Sequence, residues 1–112
     1  MNRKDIRLEL LQKIELNPKY TQRELSKEME VSLGKVNYCL KKLIQKGMIK
    51  LIRFSQHSNK IKYIYKLTPG GIEEKSKLTF AFLKVKIKEY EMLKDEIELL
   101  KEDAKKINSI SK

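Results

Sequence analysis

Residues 33–42 bring together side chains that can contact the edges of nucleic-acid bases. Lys35 can donate hydrogen bonds to guanine O6 or N7, and the amide of Asn37 can pair with adenine N6 and N7. Tyr38 can contact a thymine methyl group or a phosphate. These side chains can act together only if the segment is a helix that turns them outward while its apolar residues face a core.

Further residues around this segment are suited to hold phosphates rather than to distinguish bases. Lys41 and Lys42 lie deeper in the segment and are placed to meet the backbone, and Gly34 allows a partner to approach closely. A preceding helix opens at Thr21, where N-terminal amides and the helix dipole favour an anion. The predicted DNA contacts on these two helices are Thr21, Gln22, Arg23, Ser32, Leu33, Gly34, Lys35, Asn37, Tyr38, Lys41 and Lys42.

A polar segment between two predicted strands supplies a second basic group. Residues 55–60 contain no apolar side chain and would form the tip of a hairpin. A loop of this size could enter a minor groove or follow the phosphate backbone. It could equally be an ordinary polar turn. The predicted DNA contacts on the hairpin are Arg53, His57, Asn59, Lys60 and Lys62.

The distribution of charge favours nucleic-acid contact by the first part of the chain. Residues 1–68 carry 16 Lys and Arg against 6 Asp and Glu, whereas residues 69–112 carry 10 against 9. No acidic residue occurs between Glu30 and Glu73, although 9 Lys and Arg lie there. A merely solvated surface would mix both signs, so the one-sided charge indicates a polyanionic partner.

The first two predicted helices are marked by their caps. Asp5–Leu16 has apolar residues at a 3.6-residue period, and Asp5 can cap this helix. Asn17-Pro18 then ends it. Thr21 and Glu24 have the spacing of a capping box, which predicts a short second helix.

A third helix and a hairpin follow. Ser32 can cap a helix over Leu33–Lys46, and Gly47 is the expected left-handed residue just after its end. Met48–Phe54 alternates partly and is rich in Ile and Leu, and Ile61–Leu67 alternates between two faces, so both are predicted to be strands. The helices would therefore be followed by a two-stranded antiparallel hairpin.

A long C-terminal helix is predicted after the hairpin. Thr68 is its cap, and Pro69 lies in its first turn, where the missing N–H costs nothing. The pair Gly70-Gly71 is expected to fray or bend this start. No helix-breaking residue follows over Ile72–Ile107, which predicts a helix of about 35 residues.

This last helix carries an apolar seam. Steps of three and four residues match the a/d period of a coiled coil over about two and a half heptads, and a shortened step at Tyr90 resembles a stammer. Such a stripe would be buried against the same helix of a second subunit; folding back on its own domain is the alternative. The predicted dimerisation residues are Phe80, Leu83, Ile87, Tyr90, Leu93, Ile97, Leu100, Ala104 and Ile107.

Together these elements predict a mainly α fold with a two-stranded wing. Helix, short capped helix, tight turn, longer helix and hairpin are the order of a winged helix-turn-helix. We assign residues 1–68 to a winged helix-turn-helix DNA-binding domain. Residues 69–112 form a long, coiled-coil-like C-terminal dimerisation helix.

Several stretches of the sequence resemble the MarR-type winged-helix transcriptional regulators. They are Thr21–Ser26, Val31–Leu43, Lys46-Gly47 and Leu67–Gly71. The run over residues 31–40, followed by Lys88–Glu91 in the long helix, is most similar to the small branch described as EPS-associated. That branch is tied to bacterial exopolysaccharide or capsule gene clusters. The resemblance covers about residues 6–107.

The resemblance implies a homodimer that binds double-stranded DNA and regulates transcription in a bacterial cytoplasm, on the nucleoid. The family's recognition helix falls on Leu33–Lys42 and its wing on Ser55–Lys60. MarR-type wings commonly carry an Asp-x-Arg pattern, and Ser58-Asn59-Lys60 stands there instead. The wing contact made by that arginine is therefore not carried over to this chain.

The same resemblance bears on small-molecule effectors. Larger relatives frame their dimer with helices from both termini, and some bind phenolic effectors between them. This sequence has almost nothing before Asp5. An effector is therefore not expected, although the sequence does not exclude one.

The sequence contains no constellation typical of an enzyme. It has one His, His57, and one Cys, Cys39, with no glycine-rich phosphate loop, metal-ligand cluster or nucleophile triad. No activity, cofactor or metal is therefore predicted. Plain packing is favoured for Cys39 over redox sensing. A single cysteine and the lack of a long apolar run favour the cytoplasm and no membrane partner.

Two other binding roles stay open at this point. A winged helix can be a protein-interaction adaptor that does not recognise DNA sequence, with its long helix paired to another protein. An RNA-binding role is disfavoured because only Tyr38 on the third helix offers an aromatic stacking surface. A steep salt dependence of affinity would separate the DNA-binding protein from the adaptor.

Overall fold

The computed structural model describes residues 5–55 and 61–110. The elements are α1 (Ile6–Leu16), α2 (Gln22–Met29), α3 (Leu33–Gln45), β1 (Ile49–Ser55), β2 (Ile61–Leu67) and α4 (Pro69–Ile110). This is the predicted mainly helical architecture with a two-stranded antiparallel wing and a long C-terminal helix. The chain divides into a first unit, Met1–Thr79, and a second, Phe80–Lys112.

Side-chain caps fix the starts of α1 and α2, as the sequence predicted. The Asp5 carboxylate accepts a hydrogen bond from the Arg7 backbone N–H at 2.8 Å. The Thr21 hydroxyl accepts from the Glu24 N–H at 3.1 Å, and the Glu24 carboxylate accepts from the Thr21 N–H at 3.1 Å. These bonds satisfy amides that have no partner within a helix, so each helix begins at a defined residue.

The turn between α2 and α3 and the end of α3 both use left-handed backbone. Glu30, which caps the C-terminus of α2, has φ 55°, and Gly47, which follows α3, has φ 72°. Ser32 starts α3 by accepting a hydrogen bond from the Lys35 N–H at 3.1 Å. The predicted cap at Ser32 and the predicted left-handed glycine at Gly47 are both confirmed.

The hairpin has an unbroken antiparallel register from Ile49 opposite Leu67 to Ser55 opposite Ile61. Side chains alternate between the two faces of a strand, so Ile49, Tyr65 and Leu67 turn the same way and are buried. The Tyr65 N–H also donates to the Pro18 carbonyl at 3.2 Å, which joins β2 to the loop after α1. The hairpin is therefore anchored at its base.

The core lies where the three N-terminal helices meet the base of the hairpin. Its buried members are Leu10, Leu11, Ile14, Leu25, Met29, Val36, Leu40, Leu43, Ile49, Tyr65 and Leu67. Cys39 is half-buried and packs against this cluster, which agrees with the packing role expected for it. Burial of this apolar surface is what holds α3 in a fixed orientation.

The start of α4 differs from the sequence expectation. The helix begins at Pro69 and runs 42 residues to Ile110, so Gly70-Gly71 neither fray nor interrupt it. The Thr68 hydroxyl accepts from the Gly71 N–H at 3.1 Å and donates to the Gly47 carbonyl. This cap links the start of α4 to the end of α3.

The first turns of α4 belong to the N-terminal unit. Leu78 packs against the core, and Lys75 forms an ion pair with Glu15 of α1 at 2.7 Å. Gly71 is buried and lies directly against the Met48 backbone. The predicted helix of about 35 residues was therefore too short at its beginning, because the Thr68 cap and the close packing of Gly71 allow the helix to start at Pro69.

The second unit has no core of its own. It continues α4, and none of its described side chains over residues 80–109 is buried. Eight residues of the predicted seam are between 43% and 66% exposed, namely Phe80, Leu83, Ile87, Tyr90, Leu93, Ile97, Leu100 and Ile107. Ala104 is exposed as well. In a single chain, this stripe faces solvent.

Candidate nucleic-acid interface

Helix α3 separates an apolar face from a polar, basic one. Val36, Leu40 and Leu43 are each 1% exposed and point into the core. On the other side, Leu33 and Tyr38 are 40% and 62% exposed. Gly34, Lys35, Lys41 and Lys42 are also exposed. The periodicity of α3 thus places the predicted contact residues on one outward face.

The residues that open α2 and α3 combine capping with exposure. Thr21, Arg23 and Ser32 are all exposed, and the hydroxyls of Thr21 and Ser32 accept backbone N–H bonds as caps. A capping hydroxyl keeps its own hydrogen, which it can donate to a phosphate oxygen. Cap and phosphate contact are therefore compatible at both helix starts.

Asn37 is placed differently from its neighbours. It is half-buried, and its Nδ2 donates to Gln22 Oε1 at 3.1 Å. Gln22 Nε2 in turn donates to the Tyr65 hydroxyl at 3.2 Å. The structure therefore brings together two residues that the sequence singled out separately and adds a third, Tyr65. Only the alternation of β2, which turns Tyr65 toward the core, could have pointed to this third residue.

The wing contributes two described residues of the predicted contact set. Arg53 and Lys62 are exposed, on β1 and β2 respectively. Their backbone partners across the hairpin are Tyr63 and Phe54, so the two cations stand on successive rungs of the ladder. His57, Asn59 and Lys60 lie outside the described residues.

Several acidic side chains of α1 and α2 have partners within the N-terminal unit. Glu28 pairs with Lys13 at 3.1 Å, and its hydrogen bond with Tyr20, followed by that with Lys13, lowers the pKa of Glu28. The same bond to Glu28 raises the pKa of Tyr20. At the start of α1, the Arg7 side chain lowers the pKa of Asp5 through a hydrogen bond. Asp5 and Glu28 are thus each paired with a cation, while residues 31–72 contain no carboxylate.

The described residues contain neither a metal-site candidate nor a membrane-spanning helix. No group of three or more His, Cys, Asp and Glu side chains within residues 5–55 and 61–110 is placed to hold a metal ion. Across the same ranges, no helix has both the length and the apolar character needed to cross a bilayer.

Comparison with known proteins gives the fold. A family model described as winged helix-turn-helix DNA-binding matches residues 3–50. The first unit is a winged helix-turn-helix. No curated protein sequence matches the chain. The matched residues cover α1, α2 and α3 and end at the start of β1.

Solved structures of transcriptional regulators share this fold. PcaV from Streptomyces coelicolor, in complex with its natural ligand, matches over 70% of this chain at 13% identity and a TM-score of 0.57. A variant of MepR from Staphylococcus aureus, bound to an oligodeoxyribonucleotide, matches over 95% of it at 20% identity and a TM-score of 0.55. The zinc-responsive MarR-family member ZitR of Lactococcus lactis matches over 85% of this chain at 21% identity and a TM-score of 0.56.

The chain is shorter than these regulators. It spans 54% of PcaV, 64% of ZitR and 78% of the MepR variant. At these identities the likeness establishes the fold, and the structural neighbours are MarR-family regulators. The family match describes a DNA-binding fold. The EPS-associated branch receives no support from these comparisons.

The open space around Gly34 gives a first testable prediction. A Cβ built at Gly34 meets nothing within 4 Å. We expect Gly34→Ala to raise the free energy of unfolding by about 0.5–1 kcal/mol, because alanine is the better helix former. We expect it to weaken duplex binding at least about fivefold, because the methyl group holds α3 away from DNA. Urea denaturation and duplex titration measure the two effects. Unchanged binding would remove Gly34 from the interface.

Proposed function

We propose that this protein is a sequence-specific, double-stranded-DNA-binding regulator of transcription that acts as a homodimer. The observation that carries the proposal is the outward face of α3, which is basic, exposed and free of acidic residues. A helix of this kind fits the major groove, and its N-terminal half meets base edges. The family match over residues 3–50 and the DNA-bound MepR neighbour support the same function.

Residues on α3 divide between base contacts and phosphate contacts. Lys35, Asn37 and Tyr38 lie in the first half of the helix, where a groove-bound helix comes closest to base edges. Lys41 and Lys42 lie further along and meet phosphates. The Lys42 ammonium lies 5.6 Å from the centre of the Tyr38 ring, which orders both side chains on the outer face. The wing cations Arg53 and Lys62 add phosphate contacts beside the groove.

Dimerisation is the second part of the proposal. The exposed seam of α4 has coiled-coil spacing from Tyr90 to Ile107, and an identical helix offers a self-complementary stripe. Two copies would then present two α3 helices to one duplex. We expect a pseudo-palindromic site whose half-sites lie about one helical turn apart. Protection of a single half-site by a monomer would contradict this arrangement.

The resemblance to the EPS-associated branch supports a narrower assignment. We propose that the regulated genes direct exopolysaccharide or capsule synthesis, and that the protein works in the cytoplasm on the nucleoid. Selecting genomic fragments that the protein binds would test the assignment, because the operator and its neighbouring genes are recovered together. Fragments drawn from unrelated gene clusters would refute it.

Substitutions on α3 test the division between base and phosphate contacts. We expect Asn37→Ala to weaken binding to the selected site by about 1–3 kcal/mol with little change on random duplex. Lys42→Ala should weaken binding to both duplexes alike. It should also reduce the slope of log affinity against log salt concentration by about one. Titration of both variants on both duplexes checks this. An equal loss on random DNA for the two variants would show that Asn37 does not distinguish bases.

A further inference from the structure

A chain of hydrogen bonds joins the wing, α2 and the outward helix α3. The Tyr65 hydroxyl accepts from Gln22 Nε2 at 3.2 Å, and Gln22 Oε1 accepts from Asn37 Nδ2 at 3.1 Å. The three residues belong to β2, α2 and α3, and Tyr65 is 43 positions along the chain from Gln22. They meet only because the fold packs these elements together.

Tyr65 and Gln22, the two residues behind Asn37 in this series of hydrogen bonds, are both held in place by the fold. Tyr65 is 8% exposed, belongs to the core cluster and donates its backbone N–H to Pro18. Gln22 is the first residue of α2, next to Thr21, whose capping box fixes the backbone there. The Gln22 amide is therefore held by the folded domain before any partner arrives.

This series of hydrogen bonds leaves one Nδ2–H and the Oδ1 of the Asn37 amide available. One Nδ2–H is given to Gln22, and no hydrogen bond within the described residues uses the other Nδ2–H or Oδ1. Those two groups are the donor and the acceptor that an asparagine offers to adenine N7 and N6. The contact with Gln22 thus orients the amide through one Nδ2–H, and the other Nδ2–H and Oδ1 stay available to adenine.

We propose that Gln22 is a positioning residue for base recognition, which holds the Asn37 amide in the orientation that pairs with adenine. The inference rests on the proposed function, since it concerns how the same helix recognises its site. Fixing a side chain before binding lowers the entropy lost in the complex and disfavours pairing with other bases. Gln22 therefore sets selectivity without contacting the base itself, and Tyr65 supports it from behind.

The test compares selectivity, defined as affinity for the selected duplex divided by affinity for a random duplex. The full-length protein is titrated with a duplex that it selects from a random-sequence pool and with an unrelated duplex of equal length. The variants are Gln22→Ala, Asn37→Ala and the two combined. Gln45→Ala is the matched control, because Gln45 is an exposed glutamine at the far end of α3.

If Gln22 positions Asn37, the effect of Gln22→Ala on selectivity should depend on whether Asn37 is present. Gln22→Ala should lower selectivity about five- to tenfold. It should cause no further loss once Asn37 is alanine. Replacing adenine with 7-deazaadenine in the selected site should reduce the affinity of the wild-type protein more than it reduces the affinity of the Gln22→Ala variant. Gln45→Ala should change neither affinity.

A conservative variant separates positioning from a folding defect. In Gln22→Glu, the carboxylate can still accept hydrogen bonds from Asn37 Nδ2 and from the Tyr65 hydroxyl. Its negative charge weakens binding to both duplexes alike. Selectivity should therefore survive in Gln22→Glu although affinity falls.

The contradicting results are distinct. Independent, multiplicative losses in the double variant, or loss of selectivity in Gln22→Glu equal to that in Gln22→Ala, would overturn the role of Gln22 and leave the proposed function standing. A wild-type protein that selects no sequence would overturn both.

Discussion

Placing glutamates in the seam of α4 will convert the proposed dimer to a monomer. In a Leu93→Glu/Ile97→Glu double variant, a dimer would have to bury four carboxylates in its seam, which costs several kcal/mol per ion. We expect the dimer dissociation constant to rise by at least about 100-fold. Affinity for a two-half-site duplex should fall by about 10²–10⁴, because the second α3 is no longer tethered. Sedimentation equilibrium and duplex titration measure the two effects.

The same helix provides a matched control. Met92 and Leu99 are 59% and 64% exposed, as apolar as the seam residues, and lie between its a and d positions. Met92→Glu/Leu99→Glu adds the same charge to the same segment and should leave both assembly and DNA affinity within about twofold. If the two double variants dissociated the protein equally, the effect would come from charge alone and the proposed seam would be wrong.

Gly71→Ala will destabilise the N-terminal unit, against the usual effect of alanine in a helix. A Cβ built at Gly71 lies 2.0 Å from the Met48 carbonyl oxygen and 2.9 Å from its carbon, and both are backbone atoms. The same carbonyl accepts the Thr68 N–H at 3.1 Å, so moving it would disturb the start of α4. We expect the free energy of unfolding to fall by about 1–3 kcal/mol. Urea denaturation at fixed protein concentration measures it.

Its neighbour supplies the control for this substitution. A Cβ at Gly70 would lie 3.6 Å from the Thr68 hydroxyl and 3.7 Å from the Gly47 carbonyl, which are ordinary contact distances. Gly70→Ala should therefore be neutral or stabilising by up to about 1 kcal/mol. Equal stabilities for the two variants would mean that α4 does not approach Met48 as closely as the structure places it.

Local signals in the sequence were enough to place most elements. The Thr21 and Ser32 caps, the left-handed Gly47 and the alternation of Ile61–Leu67 each act over a few residues, so each could be recognised without the fold. The start of α4 could not be recognised from such local signals. Gly70-Gly71 lowers helix propensity locally, but the Thr68 cap and packing of Gly71 on Met48 outweigh that preference.

The candidate site was only partly predictable for a similar reason. Periodicity correctly turned Lys35, Tyr38 and Lys42 outward, because helical period depends on neighbouring residues alone. The hydrogen bonds from Asn37 to Gln22 and on to Tyr65 depend on tertiary packing, which brings residues of α3, α2 and β2 together. A contact between residues this far apart has no local signature in a single sequence.

A salt series on the wild-type protein shows whether two copies bind one duplex mainly through its phosphates. The full-length protein is titrated with its selected duplex while stoichiometry is measured. We expect two chains per duplex and a fall in affinity of about 10³–10⁵ between about 50 and 200 mM salt, if six to ten phosphates are contacted. A single chain per duplex, or an affinity that barely changes with salt, would contradict it.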